Sequence, residues 1–167
     1  VLAGEIGRSL APVPLVSNLA VIEALLLAGS EAQQAEWLPL LSSGRRIGCI
    51  AWMEGSRTPL QQVETRLTNG RLSGRKSPVV DGRIADVAIV TVRGDDGPAM
   101  ALAPLSGAGR EAIDSFDPTR PSANLSFEGV AAESLGTSAD WRRCSEILAV
   151  LAAWEAIGTA EAALELA

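Results

Sequence analysis

Apolar residues fall into three zones along this chain, each with its own spacing. In the first, residues 1–45, Leu19, Ile22, Leu25 and Leu26 recur at helical intervals after Pro12 and Pro14. Ser17 is placed to cap that helix and Gly29 to end it. Ser30 opens a second helix, and Gln33 completes a capping box with it. Trp37, Leu38, Leu40 and Leu41 supply the apolar side, and Ser42-Ser43-Gly44 closes the helix. The second zone, residues 46–136, reads as short strands. Candidates are Ile47 to Met53, Val63 to Leu67, Arg71 to Ser73, Met100 to Leu105, Arg110 to Phe116 and Ala123 to Phe127. Asn69-Gly70 is a strong hairpin signal, because both residues tolerate positive φ. Gly74-Arg75-Lys76-Ser77-Pro78 reads as a loop. Ala85 to Val92 is almost continuously apolar, which predicts a buried strand. Turn signals stand at Gly94-Asp95-Asp96-Gly97 and Asp117-Pro118. Strands at this spacing predict an antiparallel barrel or sandwich. In the third zone, residues 137–167, Trp141, Cys144, Ile147, Leu148, Leu151, Trp154 and Ile157 form one wide helical stripe. Such a helix must pack against other helices, and within this chain only the first zone offers any. The fold class is therefore α+β.

Composition narrows the chemistry. The 167 residues are 47% apolar and 20% charged, as in a globular domain rather than a disordered chain. A net charge of -6 and a pI near 4.7 argue against general nucleic-acid binding, which needs a basic surface. The chain has no histidine and no tyrosine, so it cannot build a Ser-His-Asp triad, a Cys-His pair or a histidine zinc site. Cys49 and Cys144 match no metal-ligand spacing, so no metal is expected; they read as buried thiols in a reducing cytoplasm. No run reaches the roughly 18–20 unbroken apolar residues of a membrane span. The first ten residues carry Glu5 and Arg8 and lack the basic start of a signal peptide. The chain starts without Met and stops within a helical pattern, the expectation for a piece of a longer protein. Arg57, Arg75 and Lys76 either face an anion or are solvated loop charges.

Four segments in order carry a resemblance. The first is Gly29-Ser30, Gln33-Gln34, Leu38-Pro39, Gly44 and a strand ending at Glu54. The second is Gly74-x-Lys76 followed by Ala85-Asp86. The third is Asp117-x-x-Arg120 with its closing strand. The fourth is the apolar helix with Gly158. Together they resemble the acyl-CoA dehydrogenase family over nearly the whole chain. The resemblance implies the late part of a helical N-terminal domain, a complete β middle domain with a barrel-like antiparallel fold, and the first helix of a C-terminal four-helix bundle. It implies an FAD-dependent enzyme of fatty-acid breakdown that removes an α proton from an acyl-CoA thioester and passes a β hydride to flavin. An electron-transfer flavoprotein or similar acceptor and a homo- or hetero-oligomer follow as partners.

Carried onto this sequence, Ile50, Ala51, Trp52 and Met53 border the flavin ring, as do Pro78, Val79 and Val80. Ser56 meets the thioester end, and the proton-abstracting glutamate lies beyond Ala167. A minority position for that base falls on Leu148, which cannot act; Glu146 and Glu155 match neither place. The sequence departs from the family where Met53-Glu54-Gly55 stands for Thr-Glu-Pro and Pro78-Val79-Val80 for Trp-Ile-Thr. Each lost hydroxyl donor costs about 1 kcal/mol of cofactor affinity. Trp52 can replace part of the stacking surface. These departures leave a second reading, a non-catalytic or flavin-poor partner subunit. A third, a plain β-domain binding module, does not account for the flanking helices.

Overall fold

The computed structural model describes residues 2–56, 62–115, 117 and 119–167. Three helices open the chain: α1 (Leu2–Ser9), α2 (Leu15–Ala28) and α3 (Glu31–Ser42). The capping box at Ser30 forms as predicted. Ser30 Oγ accepts from the Gln33 backbone N–H at 3.2 Å, and Gln33 Oε1 accepts from the Ser30 N–H at 3.0 Å. Gly29 ends α2, also as predicted. Ser17 does not cap α2, which begins two residues earlier behind Pro14. Proline suits a first turn that needs no N–H, and the Ser17 hydroxyl instead donates to Asp81 at 2.6 Å.

The strands form two open four-stranded sheets rather than a closed barrel. The first has the order β1 (Gly48–Ala51), β4 (Val87–Gly94), β5 (Gly97–Pro104), β8 (Glu133–Leu135). The second has the order β2 (Arg66–Thr68), β3 (Arg71–Val79), β7 (Ala123–Ala131), β6 (Gly109–Ala112). Pairing between these strands is antiparallel except for β1 and β4, which run parallel, Gly48 beside Val87 and Ala51 beside Val90; Glu54 adds an isolated parallel bridge to Ser77. The chain leaves the first sheet after β1, builds β2 and β3 in the second, then returns as β4. That crossover is what parallel neighbours require.

The predicted loop at 74–78 is instead the middle of β3, with Gly74 opposite Phe127 and Lys76 opposite Leu125 on β7. Two register shifts, after Leu72 and after Lys76, absorb the Gly and Pro that read as turn residues. Gly74 has φ +146, and a Cβ there would stand 2.6 Å from Thr65 Oγ1, so the strand needs glycine at this point.

β4 is buried on both faces, as its apolar run predicts. Ala88, Val90 and Val92 point between the sheets with Leu72, Leu125 and Phe127. Val87 and Ile89 meet a second cluster with Val21, Leu25, Leu41, Trp141 and Cys144 from the helices. Gly48 lets α2 lie close on β1, since a Cβ there would meet Val21 at 2.8 Å.

Helix α4 (Ser138–Glu165) starts from a Thr137–Asp140 capping box. Its first part sits on the first sheet through Trp141 and Cys144. Its last part packs on α1 through glycines. A Cβ on Gly7 would lie 1.9 Å from Glu155 O, and one on Gly158 would lie 1.9 Å from Gly4 O. By length and composition alone α4 could cross a membrane; here it is seated against the sheet and α1.

Candidate functional site

A cavity of about 450 Å³ opens where α2, the end of β1, the end of β3 and α4 converge. Its α4 wall is made by Ser145, Leu148, Ala149, Ala152 and Glu155. These fall on one face of the helix because their spacing keeps to its period. Val16, Ser17 and Ala20 of α2 form a second wall, and Ile50, Trp52 and Val80 a third. The lining is apolar apart from Ser17, Ser145 and one ion pair, Arg120 with Glu155.

Of the residues expected to border a cofactor, Ile50, Trp52 and Val80 line this cavity. Trp52 and Val80 are exposed enough to meet a ligand, at 41% and 44%. Ala51 and Val79 are fully buried in the core between the sheets and position their neighbours. Met53 is half-buried and Pro78 is exposed, and neither lines the cavity. The Met53 carbonyl accepts from the Ser77 N–H at 2.8 Å, and the Ser77 carbonyl accepts from the Gly55 N–H at 2.7 Å. Thus the strand end at 51–54 and the strand end at 77–80 are clamped side by side by backbone bonds. Ser56 lies on the exposed turn beyond Gly55 and faces a separate polar cleft with Glu54, Thr65, Arg75 and Ser77.

Of the three cations, Lys76 departs from both expectations. Lys76 is fully buried. Its Nζ donates to Glu54 Oε1 and to Thr91 Oγ1, each at 2.7 Å, and the Thr91 hydroxyl donates to the Trp52 carbonyl at 3.1 Å. Burial alone would raise the Glu54 carboxyl. The Lys76 ammonium, the Thr65 hydroxyl and the backbone N–H groups of Glu64 and Thr65 overcome it and hold the group down, at about 2. Burial also lowers Lys76, to about 8, against the opposing pull of Glu54. Both partners are therefore charged at neutral pH, and the pair anchors the backbone that presents Trp52. Arg75 is exposed and pairs with Glu111 at 2.8 Å. Arg57 lies outside the described residues.

Sequence reasoning missed Arg120 as a cavity residue and set Glu155 aside. Their meeting joins the segment before β7 to α4 across 35 positions, which no local pattern displays. Burial pushes the Cys49 thiol up to about 12 and the Cys144 thiol to about 11, so both are inert core groups. Among the described residues no group of three or more metal-ligating side chains comes together.

No family model matches this chain, and no curated protein sequence matches it. Solved structures do. A variant of the Tcur3481-Tcur3483 steroid ACAD is 27% identical, with a TM-score of 0.89, over 99% of this chain and 46% of its own. The glutaryl-CoA dehydrogenase of Mycobacterium smegmatis in complex with FADH2 is 26% identical, with a TM-score of 0.73, over 87% of this chain and 42% of its own. The ChsE4-ChsE5 complex of Mycobacterium tuberculosis shares the fold at 24% identity, with a TM-score of 0.76, over 98% of this chain and 45% of its own. In fold and sequence the solved structures most like this chain include acyl-CoA dehydrogenases. This chain resembles them over most of its length and spans slightly less than half of theirs.

Proposed function

We propose that this chain is the flavin- and acyl-binding portion of an FAD-dependent acyl-CoA dehydrogenase, one that desaturates an acyl-CoA thioester between its α and β carbons. The carrying observation is the apolar cavity walled by α2, α4 and the clamped strand ends, in a chain 27% identical to a steroid ACAD. The site residues fit the apolar ring of FAD: a half-exposed indole at Trp52, the Val80 side chain and Ile50 present a flat apolar wall. FAD, when bound, supplies the hydride acceptor; the protein binds and orients. Trp52, Ile50 and Val80 hold the ring, and Lys76 with Glu54 fixes the backbone beneath it. The resemblance assigns the thioester contact to Ser56, which lines the separate polar cleft and not this cavity. Leu148 and Ala152 exclude water from the acyl chain. The proton-abstracting base comes from sequence beyond Ala167, because Leu148 carries no titratable group. An electron-transfer flavoprotein or similar carrier takes the electrons. The three-part division at residues 45 and 136 and a cytoplasmic location complete this reading.

The test is the absorbance of the purified full-length protein. A flavin spectrum, and desaturation of an acyl-CoA with a dye acceptor, are expected. A protein that stays colourless and takes up no added FAD sinks the reading for this chain acting alone.

One observation favours a second role, a non-catalytic subunit of a hetero-oligomer. The wall position at Leu148 is apolar, and two similar structures carry two-component names. Full activity from this protein as a homo-oligomer would exclude that role.

A further inference from the structure

The apolar cavity holds one ion pair in its wall. We propose that this pair, Arg120 with Glu155, makes the cavity selective for an acyl group that carries a neutral oxygen, a hydroxyl or keto group, far from its thioester. The inference rests on the reading of the cavity as an acyl site and adds the substrate class to it.

The two side chains are only 22% and 21% exposed, so both are largely withdrawn from water. Such a pair in an apolar wall is costly to desolvate and is weak evidence for stability. Among the described residues the Arg120 guanidinium hydrogen-bonds to a single partner, Glu155. It has five N–H donors in a fixed fork, more than one carboxylate uses. Arg120 is one of the residues that line the cavity. Glu155 cancels the charge of Arg120, so an anionic ligand gains no net attraction at this point. A hydroxyl fits both partners, accepting from the guanidinium and donating to the carboxylate; a keto oxygen fits the guanidinium alone.

Position follows from the helix. Glu155 stands seven residues beyond Leu148 on the same face of α4, on the order of 10 Å along its axis. Leu148 is where the resemblance puts a minority position of the base, and so the level of the reacting carbons. The ion pair therefore meets an extended acyl chain of medium length near its far end, with Ala152 and Ala149 giving it a smooth apolar path.

Isothermal titration of the full-length protein with decanoyl-CoA and ω-hydroxydecanoyl-CoA tests this. The hydroxylated thioester is expected to bind about tenfold more tightly, the worth of one hydrogen bond to a charged group. Arg120→Met is expected to bring that ratio close to one. Glu155→Gln, which keeps shape and hydrogen bonding, is expected to reduce the ratio only in part. Equal binding of the two thioesters by the unaltered protein overturns the proposal. So does a full preference that survives in either variant. Flavin content, read separately, tells the two conclusions apart. A flavin-loaded protein that binds both thioesters equally removes the selectivity alone, whereas one that binds neither removes the acyl reading with it.

Discussion

Lys76 shows how much a single position can change meaning on folding. In the sequence it stands among Gly, Arg, Ser and Pro and reads as a loop charge; in the fold it is a fully buried cation between Glu54 and Thr91. Lys76→Met leaves Glu54 with its burial and without its cation, and is expected to lower unfolding free energy by about 3 kcal/mol in urea denaturation. The double variant with Glu54→Gln should recover part of that loss. The pair also sets an acid response. The Glu54 carboxyl is held below its unfolded value, so its contribution is fully present above about pH 4.3 and fades as pH falls towards about 2. Glu54→Gln should be less stable than the unaltered protein at pH 7. Its loss of stability between about pH 5 and pH 2 should be shallower, as followed by circular dichroism.

At the scale of elements, local signals succeeded where the cause was local. The Ser30–Gln33 box and the two-residue turn between β4 and β5 need nothing but their own residues. The continuous apolar run of β4 announced burial, and both of its faces are covered. Local signals failed at β3, where Gly74 and Pro78 suggested a loop. Pairing with β7 overrides turn propensity, and two register shifts take up the misfit. The seat of α4 on α1 is likewise invisible in one segment, because Gly7 matters only against the Glu155 backbone and Gly158 only against that of Gly4. Gly158→Ala puts a methyl group where the Gly4 carbonyl stands, 1.9 Å away. It should destabilise the protein by about 2–3 kcal/mol, the usual cost of overpacking against backbone, read as a lowered thermal midpoint. Ala3→Gly is the comparison for ordinary loss on α1.

At the scale of the molecule, α4 carries three faces. One meets the first sheet and α1, one walls the cavity, and the third exposes Val150 at 56%, Trp154 at 50% and Ile157 at 46%. An exposed apolar strip of this kind favours association. The 167-residue chain by itself is expected to bind a hydrophobic dye and to self-associate in analytical ultracentrifugation. Val150→Glu should reduce both without lowering helix content. The same scale decides what the chain can be asked to do. It spans less than half of the dehydrogenases it resembles, so the base, the acceptor surface and the remainder of the bundle belong to the proposed function.

The amino-acid sequence by itself determined the helix caps, the buried strand, the α+β class, the excluded histidine chemistries and the resemblance to acyl-CoA dehydrogenases. These depend on residues close together in the chain, or on the order of segments along it. The resemblance also named Ile50, Trp52 and Val80, and these three line the cavity. Only the tertiary structure decided that Ala51 and Val79 are core, that Lys76 is an internal anchor, that β1 runs parallel to β4, and that Arg120 meets Glu155 in the cavity wall. Each of these depends on pairs of residues far apart in sequence. Burial and charge pairing are properties of the packed arrangement, and no single stretch of chain contains them.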